Sequence, residues 1–101
     1  MSLEHQLTRD MINMYQRAKK ECGYNATRFV QMVTDQGGLT AAKRLINNDA
    51  PSDGFVTLWE RKRLDLTVEA LILTKKEYRS LFTEEERNKA RNRLIQYGYE
   101  I

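Results

Sequence analysis

Helix stop signals and helix start signals alternate along this chain, and they leave room only for short helices between them. Gly23, Gly37-Gly38 and Gly98 are stops, because glycine takes the left-handed backbone of a helix C-terminus without a steric penalty. Asn25, Ser52, Thr67, Thr74 and Thr83 are starts, since a short polar side chain there can accept from the free N–H groups of the first turn. Thr74 with Glu77, and Thr83 with Glu86, have the three-residue spacing of a capping box. The run Asn47-Asn48-Asp49-Ala50-Pro51 is the strongest breaker and is too short to link two domains.

Apolar spacing between the signals agrees with them. Leu7, Met11, Met14, Ala18 and Cys22 recur at helical steps, and Lys19-Lys20 suits the negative end of that helix's dipole. Asn25 is expected to cap a second helix stapled by Tyr24 and Phe29, with Phe29, Val30 and Val33 inward. A third helix over 39–47 carries Ala42, Leu45 and Ile46. Ser52 opens a fourth, with Phe55, Leu58 and Trp59, which the run Arg61-Lys62-Arg63 ends. Thr67 opens the next, with Leu66 and Leu71 at staple positions and Glu69 in the favourable first turn. The last covers 84–97, with Ala90, Leu94 and Tyr97 on one face. Leu71-Ile72-Leu73 is the only dense apolar run, and caps flank it on both sides. The consistent reading is all-α: one domain over 1–101, a single compact bundle of about six or seven short helices. Phe55, Leu58, Trp59, Leu66 and Leu71 are expected at the centre of its core.

The residue inventory excludes most self-contained chemistry. Cys22 is the sole cysteine, so no internal disulfide can form, and its place on an apolar stripe makes it a small core residue. His5 is the sole histidine and stands near the terminus, which removes the paired base that a nucleophile requires. One His and one Cys cannot supply a zinc pattern. Glu84, Glu85 and Glu86 point in different directions on a helix, and no spacing pairs Asp35, Asp49, Asp53, Glu60, Asp65 or Glu69 for acid–base work. Gly37-Gly38 lacks the further glycines and the lysine of a nucleotide loop. No catalytic residue, metal or cofactor is expected. No apolar run approaches the roughly 20 residues that span a bilayer, so no membrane contact is expected and the cytoplasm is the expected location.

The formal net charge of +3 is spread evenly, with seven Lys/Arg against five Asp/Glu in residues 1–50 and ten against nine in the rest. An evenly mixed surface is usually just a solvated one. Two features nevertheless fit nucleic acid. Residues 26–47 have a helix-turn-helix outline whose second helix aligns Thr40, Lys43, Arg44 and Asn47 for phosphates and base edges. Arg61, Lys62 and Arg63 beside Trp59 could serve a single strand, although core packing suits that indole better.

From Pro51 onward the chain resembles a recurrent small all-helical bacterial domain of uncharacterised role. The resemblance rests on Pro51-Ser52-Asp53-Gly54-Phe55, Leu58-Trp59-Glu60 and Arg63-Leu64-Asp65-Leu66-Thr67-Val68-Glu69-Ala70-Leu71. It continues through Leu81-Phe82-Thr83-Glu84-Glu85-Glu86 and Ala90-Arg91-Asn92-Arg93-Leu94, and upstream through Gly38 and Ala41-Ala42-Lys43-Arg44-Leu45. Arg61-Lys62 is more basic than that pattern. Such domains occur alone and attached to larger proteins, which implies a portable accessory or binding module and transfers no catalytic residues. The expected function is a non-catalytic protein-interaction or accessory module whose partner is another protein. A nucleic-acid-binding domain is the alternative, and the oligomeric state is left open.

Overall fold

The computed structural model describes residues 2–100. Among them are six α-helices, two 3₁₀ segments and no strand. The helices are α1 (Leu3–Cys22), α2 (Thr27–Gln36), α3 (Gly38–Asn47), α4 (Asp53–Glu60), α5 (Val68–Thr74) and α6 (Glu84–Gln96). The 3₁₀ segments are Leu64–Leu66, between α4 and α5, and Lys76–Leu81, between α5 and α6. No helix among the described residues is long and apolar enough to cross a membrane.

Most ends form where the sequence signals stand. Ser52, Thr67 and Thr83 each accept a backbone N–H through the side chain, from Phe55, Ala70 and Glu86 respectively. Thr83 and Glu86 complete their capping box. Gly23 and Gly98 take left-handed backbone after α1 and α6, with φ of 67° and 86°.

Two starts behave otherwise. α2 begins after Ala26 with no side-chain cap, because Asn25 is drawn to α1, where its Oδ1 accepts from the Tyr15 hydroxyl at 2.8 Å. Thr74 does not open a helix. Its hydroxyl turns back to the Ala70 carbonyl at 2.9 Å, and Glu77 accepts from Gln6 of α1 at 3.1 Å, so the following segment is only 3₁₀.

The stripe of α1 is the spine of the core. Leu7, Met11, Met14 and Ala18 are buried against Val33 of α2 and Ala41, Ala42 and Ile46 of α3, while Cys22 is only half-buried. Leu58, Leu66, Val68, Ile72, Tyr78, Phe82 and Ala90 close this cluster from the second half of the chain. A smaller cluster joins Phe55, Leu64, Ala70 and Leu94, with Tyr97 and Tyr99 packed on it.

Trp59 is not at the centre of the core: it is 44 % exposed, and Leu71 is only half-buried. Phe55 and Leu58 occupy the inner face of α4, and the helix ends one residue past Trp59, so nothing further along it can cover the indole. The large aromatic in the main cluster is instead Tyr78, wholly buried, whose hydroxyl donates to Asp10 of α1.

The two adjacent glycines do different work. Gly37 takes φ 84° to turn the corner between α2 and α3. Gly38 sits flat against α1, its N–H donating to Thr8 Oγ1 at 2.8 Å, and a Cβ there would lie 2.7 Å from the Thr8 Cα. Gly38→Ala should therefore cost about 1–3 kcal/mol in thermal or urea unfolding, as overpacking against an immobile backbone does. Gly54→Ala, which meets only the tip of Tyr24 at 3.0 Å, should cost less in the same assay.

Candidate binding cleft

The residues aligned for nucleic acid do not stay together as one free face. Thr40 and Arg44 are exposed on α3. Lys43 turns to α6, where its Nζ donates to Glu86 Oε1 at 2.7 Å and lies 5.4 Å from the Phe82 ring centre. Asn47 donates to Glu86 Oε2 at 2.8 Å and accepts from Lys89 at 3.3 Å. Because α3 touches α1, α2 and α6, little of it remains to enter a groove.

The second basic group lies elsewhere, at the end of α4. Arg63 is held between Glu21 at 2.8 Å and Asp65 at 3.1 Å. Arg61 donates to the Cys22 carbonyl at the end of α1. Lys62 is exposed, with a left-handed φ of 61° that closes the last turn of α4. No hydrogen bond or ion pair joins this group to the α3 group among the described residues.

Glu86 is thus more than a cap. Burial pushes its carboxyl up, but hydrogen bonds from Lys43, from the Thr83 N–H and from Asn47 outweigh that and hold it at about 2. Glu69, read from the sequence as a dipole-facing residue, is also buried. Burial raises its carboxyl, against the pull of its own backbone N–H and of Arg93, which donates to it at 3.0 Å. Arg93 also reaches the Leu45 carbonyl at 3.1 Å and the Asn48 carbonyl at 2.6 Å, so it satisfies the end of α3 as well.

Above Glu69 lies the largest opening in the protein surface, a cleft of about 590 Å³. Met14, Tyr15 and Ala18 of α1 form one wall, and Phe29 and Met32 of α2 another. Leu45 of α3, with Phe55 and Leu58 of α4, faces them, and Leu66 to Glu69 line the start of α5. Phe29 and Met32 are half-buried because α2 borders this space rather than another helix, which is why only Val33 of that helix is fully covered. The size falls within the roughly 300–1,000 Å³ of ligand sites.

Polar groups stand around the apolar walls. The Tyr15–Asn25 bond closes one corner, and Tyr24 lies against Gly54 at another. Burial, and then the charge of Asp53, pushes the Tyr24 hydroxyl above its ordinary range. Arg28 and Asp53 also line the cleft and enter no ion pair among the described residues.

Neither His5 nor Cys22 lines this space. No group of three or more His, Cys, Asp or Glu among the described residues could hold a metal ion. What the arrangement can do chemically is shelter apolar groups and orient them through a few polar ones. Sequence reasoning missed it because five separate segments build it. The one available signal was the surplus of apolar residues on α2, where Phe29, Met32 and Val33 exceed a single stripe.

The carboxylate of Glu86 also sets a pH dependence. Its folded value lies below the unfolded one, so its contribution is complete above about pH 4.5 and is lost as pH falls toward about 2. Glu86→Gln should destabilise by about 2 kcal/mol near neutrality, since it weakens several hydrogen bonds to a charge. In urea titrations the gap between the variant and the parent should narrow across that acid window.

Comparison of the chain with protein families, with curated proteins and with solved structures returns no match.

Proposed function

We propose that this protein is a non-catalytic protein-interaction module whose receptor is the cleft between α1, α2 and α4–α5. The observation that carries the reading is an open, apolar-walled space of about 590 Å³ beside a core that is otherwise filled. Water in such a space gains little from its walls, and displacing it by apolar groups is favourable. Met14 and Met32 supply flexible, polarisable side chains that can adapt to the shape of an inserted residue. The occupant that suits this space is a segment of another protein offering two or three apolar side chains, with polar atoms for Arg28, Asn25 and Asp53 at the rim.

Catalysis has less support. Of the ionisable groups in the cleft, Glu69 is committed to Arg93, and no nucleophile stands beside a base. Contact with duplex nucleic acid is likewise the weaker reading, since Lys43, Asn47 and Arg63 already face carboxylates. The resemblance to portable bacterial accessory domains points the same way as the cleft.

The experiment is selection from a random-peptide library on the immobilised protein. Selected peptides should carry apolar anchors and should shift the amide resonances of Ala26, Phe29 and Gly54. Met32→Glu places a charge on the half-buried wall and should weaken their binding at least about tenfold, the scale of losing a buried apolar anchor. Selected peptides that leave those resonances and the Met32→Glu affinity unchanged would refute the cleft as receptor.

A further inference from the structure

At the far end of α4 the chain exposes groups that folding ordinarily hides or neutralises. Trp59 is the sole tryptophan and is 44 % exposed. It is not loose: its ring meets Tyr97 edge-on with centres 5.3 Å apart, and Tyr97 meets Phe55 in the same way at 5.1 Å. A ladder of three rings therefore runs from the smaller core cluster to the surface. An aromatic side chain already fixed in this way loses little freedom when a partner covers it.

The turn that follows is strained. Arg63 N–H donates to the Leu58 carbonyl at 2.8 Å and Lys62 N–H to the Trp59 carbonyl at 3.0 Å, which places Lys62 where glycine usually closes a helix. A lysine there is held against its backbone preference, and such strain collects at functional positions.

Charge separates this corner from the rest of the basic run. Arg63 is neutralised by Glu21 and Asp65, and Glu21 also holds Arg17. Arg61 lies against the end of α1 through the Cys22 carbonyl, which brings the end of α4 beside Lys19 and Lys20. Lys19, Lys20, Arg61 and Lys62 form no ion pair among the described residues, and Glu60 is the acid left among them. Two segments some forty positions apart thus set four uncompensated cations around one exposed indole.

We infer that this corner is a second docking surface, for an acidic segment of a partner protein. Such a segment lays an apolar side chain on Trp59 and carboxylates on Arg61, Lys62 and the Lys19–Lys20 pair. The surface is distinct from the cleft, which Trp59 does not line. A peptide fits it better than a nucleic-acid strand, because Glu60, Glu21 and Asp65 among the cations repel a continuous run of phosphates. A peptide can place its carboxylates only where the cations stand.

The test repeats the peptide selection on the Met32→Glu chain, whose melting curve first confirms that it folds. Selected peptides should be enriched in Asp and Glu around an apolar residue. Binding should move the emission of Trp59 to shorter wavelength and should weaken as salt screens the charges. Trp59→Ala should weaken binding at least about tenfold, as for a central aromatic contact. Lys62→Gly should raise the melting temperature by relieving the turn yet weaken the same peptide, a combination that a purely structural lysine would not produce. Three results would overturn the inference: peptides without acidic bias, affinity indifferent to Trp59→Ala and Lys62→Gly, or an oligothymidylate that binds this corner more tightly than the best peptide at about 150 mM salt.

Discussion

Arg93 leaves α6 and inserts its guanidinium among three elements at once. It meets the buried carboxylate of Glu69 at the start of α5 and the carbonyls of Leu45 and Asn48 at the end of α3. The end of a helix presents unsatisfied carbonyls and the negative pole of its dipole, so a cation there answers both needs. Glu69 stands at the positive end of its own short helix, where an anion is favoured. Removing either charge would leave the other buried without a partner, which is costlier than the pair is beneficial. The floor of the cleft, the end of α3 and the position of α6 all depend on this one side chain.

Glu86 plays a parallel part on the opposite side of α3. It completes the cap of α6, and its two oxygens also take Lys43 and Asn47. A single carboxylate therefore sets the start of one helix and the facing of another. The consequence for function is direct: half of the polar face that α3 offers in a linear reading is used to hold the fold together. Basic residues on a helix mark a binding surface only when the fold leaves them without acids, and here that condition is met at the end of α4 rather than on α3.

The chain places its apolar residues unevenly in a related way. The main cluster is closed by Tyr78, which comes from a 3₁₀ segment, while Phe55 joins a second cluster under Tyr97. Trp59 is thereby left at the edge of that second cluster, and α2 is left with Phe29 and Met32 facing open space. Both departures from a filled bundle arise because short helices cannot cover each other along their full lengths. Both are also the places where a partner can add the missing cover.

Local chemistry alone determined that this chain is helical and where most of its helices begin and end. A cap or a stop involves residues within one turn of each other, so Ser52, Thr67, Thr83, Gly23 and Gly98 were legible without any partner. The stripe of α1 was legible for the same reason, since Leu7, Met11, Met14 and Ala18 need only a common face. Asn25 and Thr74 misled because a competing acceptor or donor existed close by in space or along the helix, and local propensity cannot weigh the two. Everything that concerns the candidate sites was decided by the tertiary structure. The walls of the cleft come from five segments, Arg93 finds Glu69 24 positions away, and Arg61 finds α1 39 positions away. Whether a charge is free or an aromatic ring is covered depends on groups distant along the chain, and their nearness is a property of packing, not of spacing.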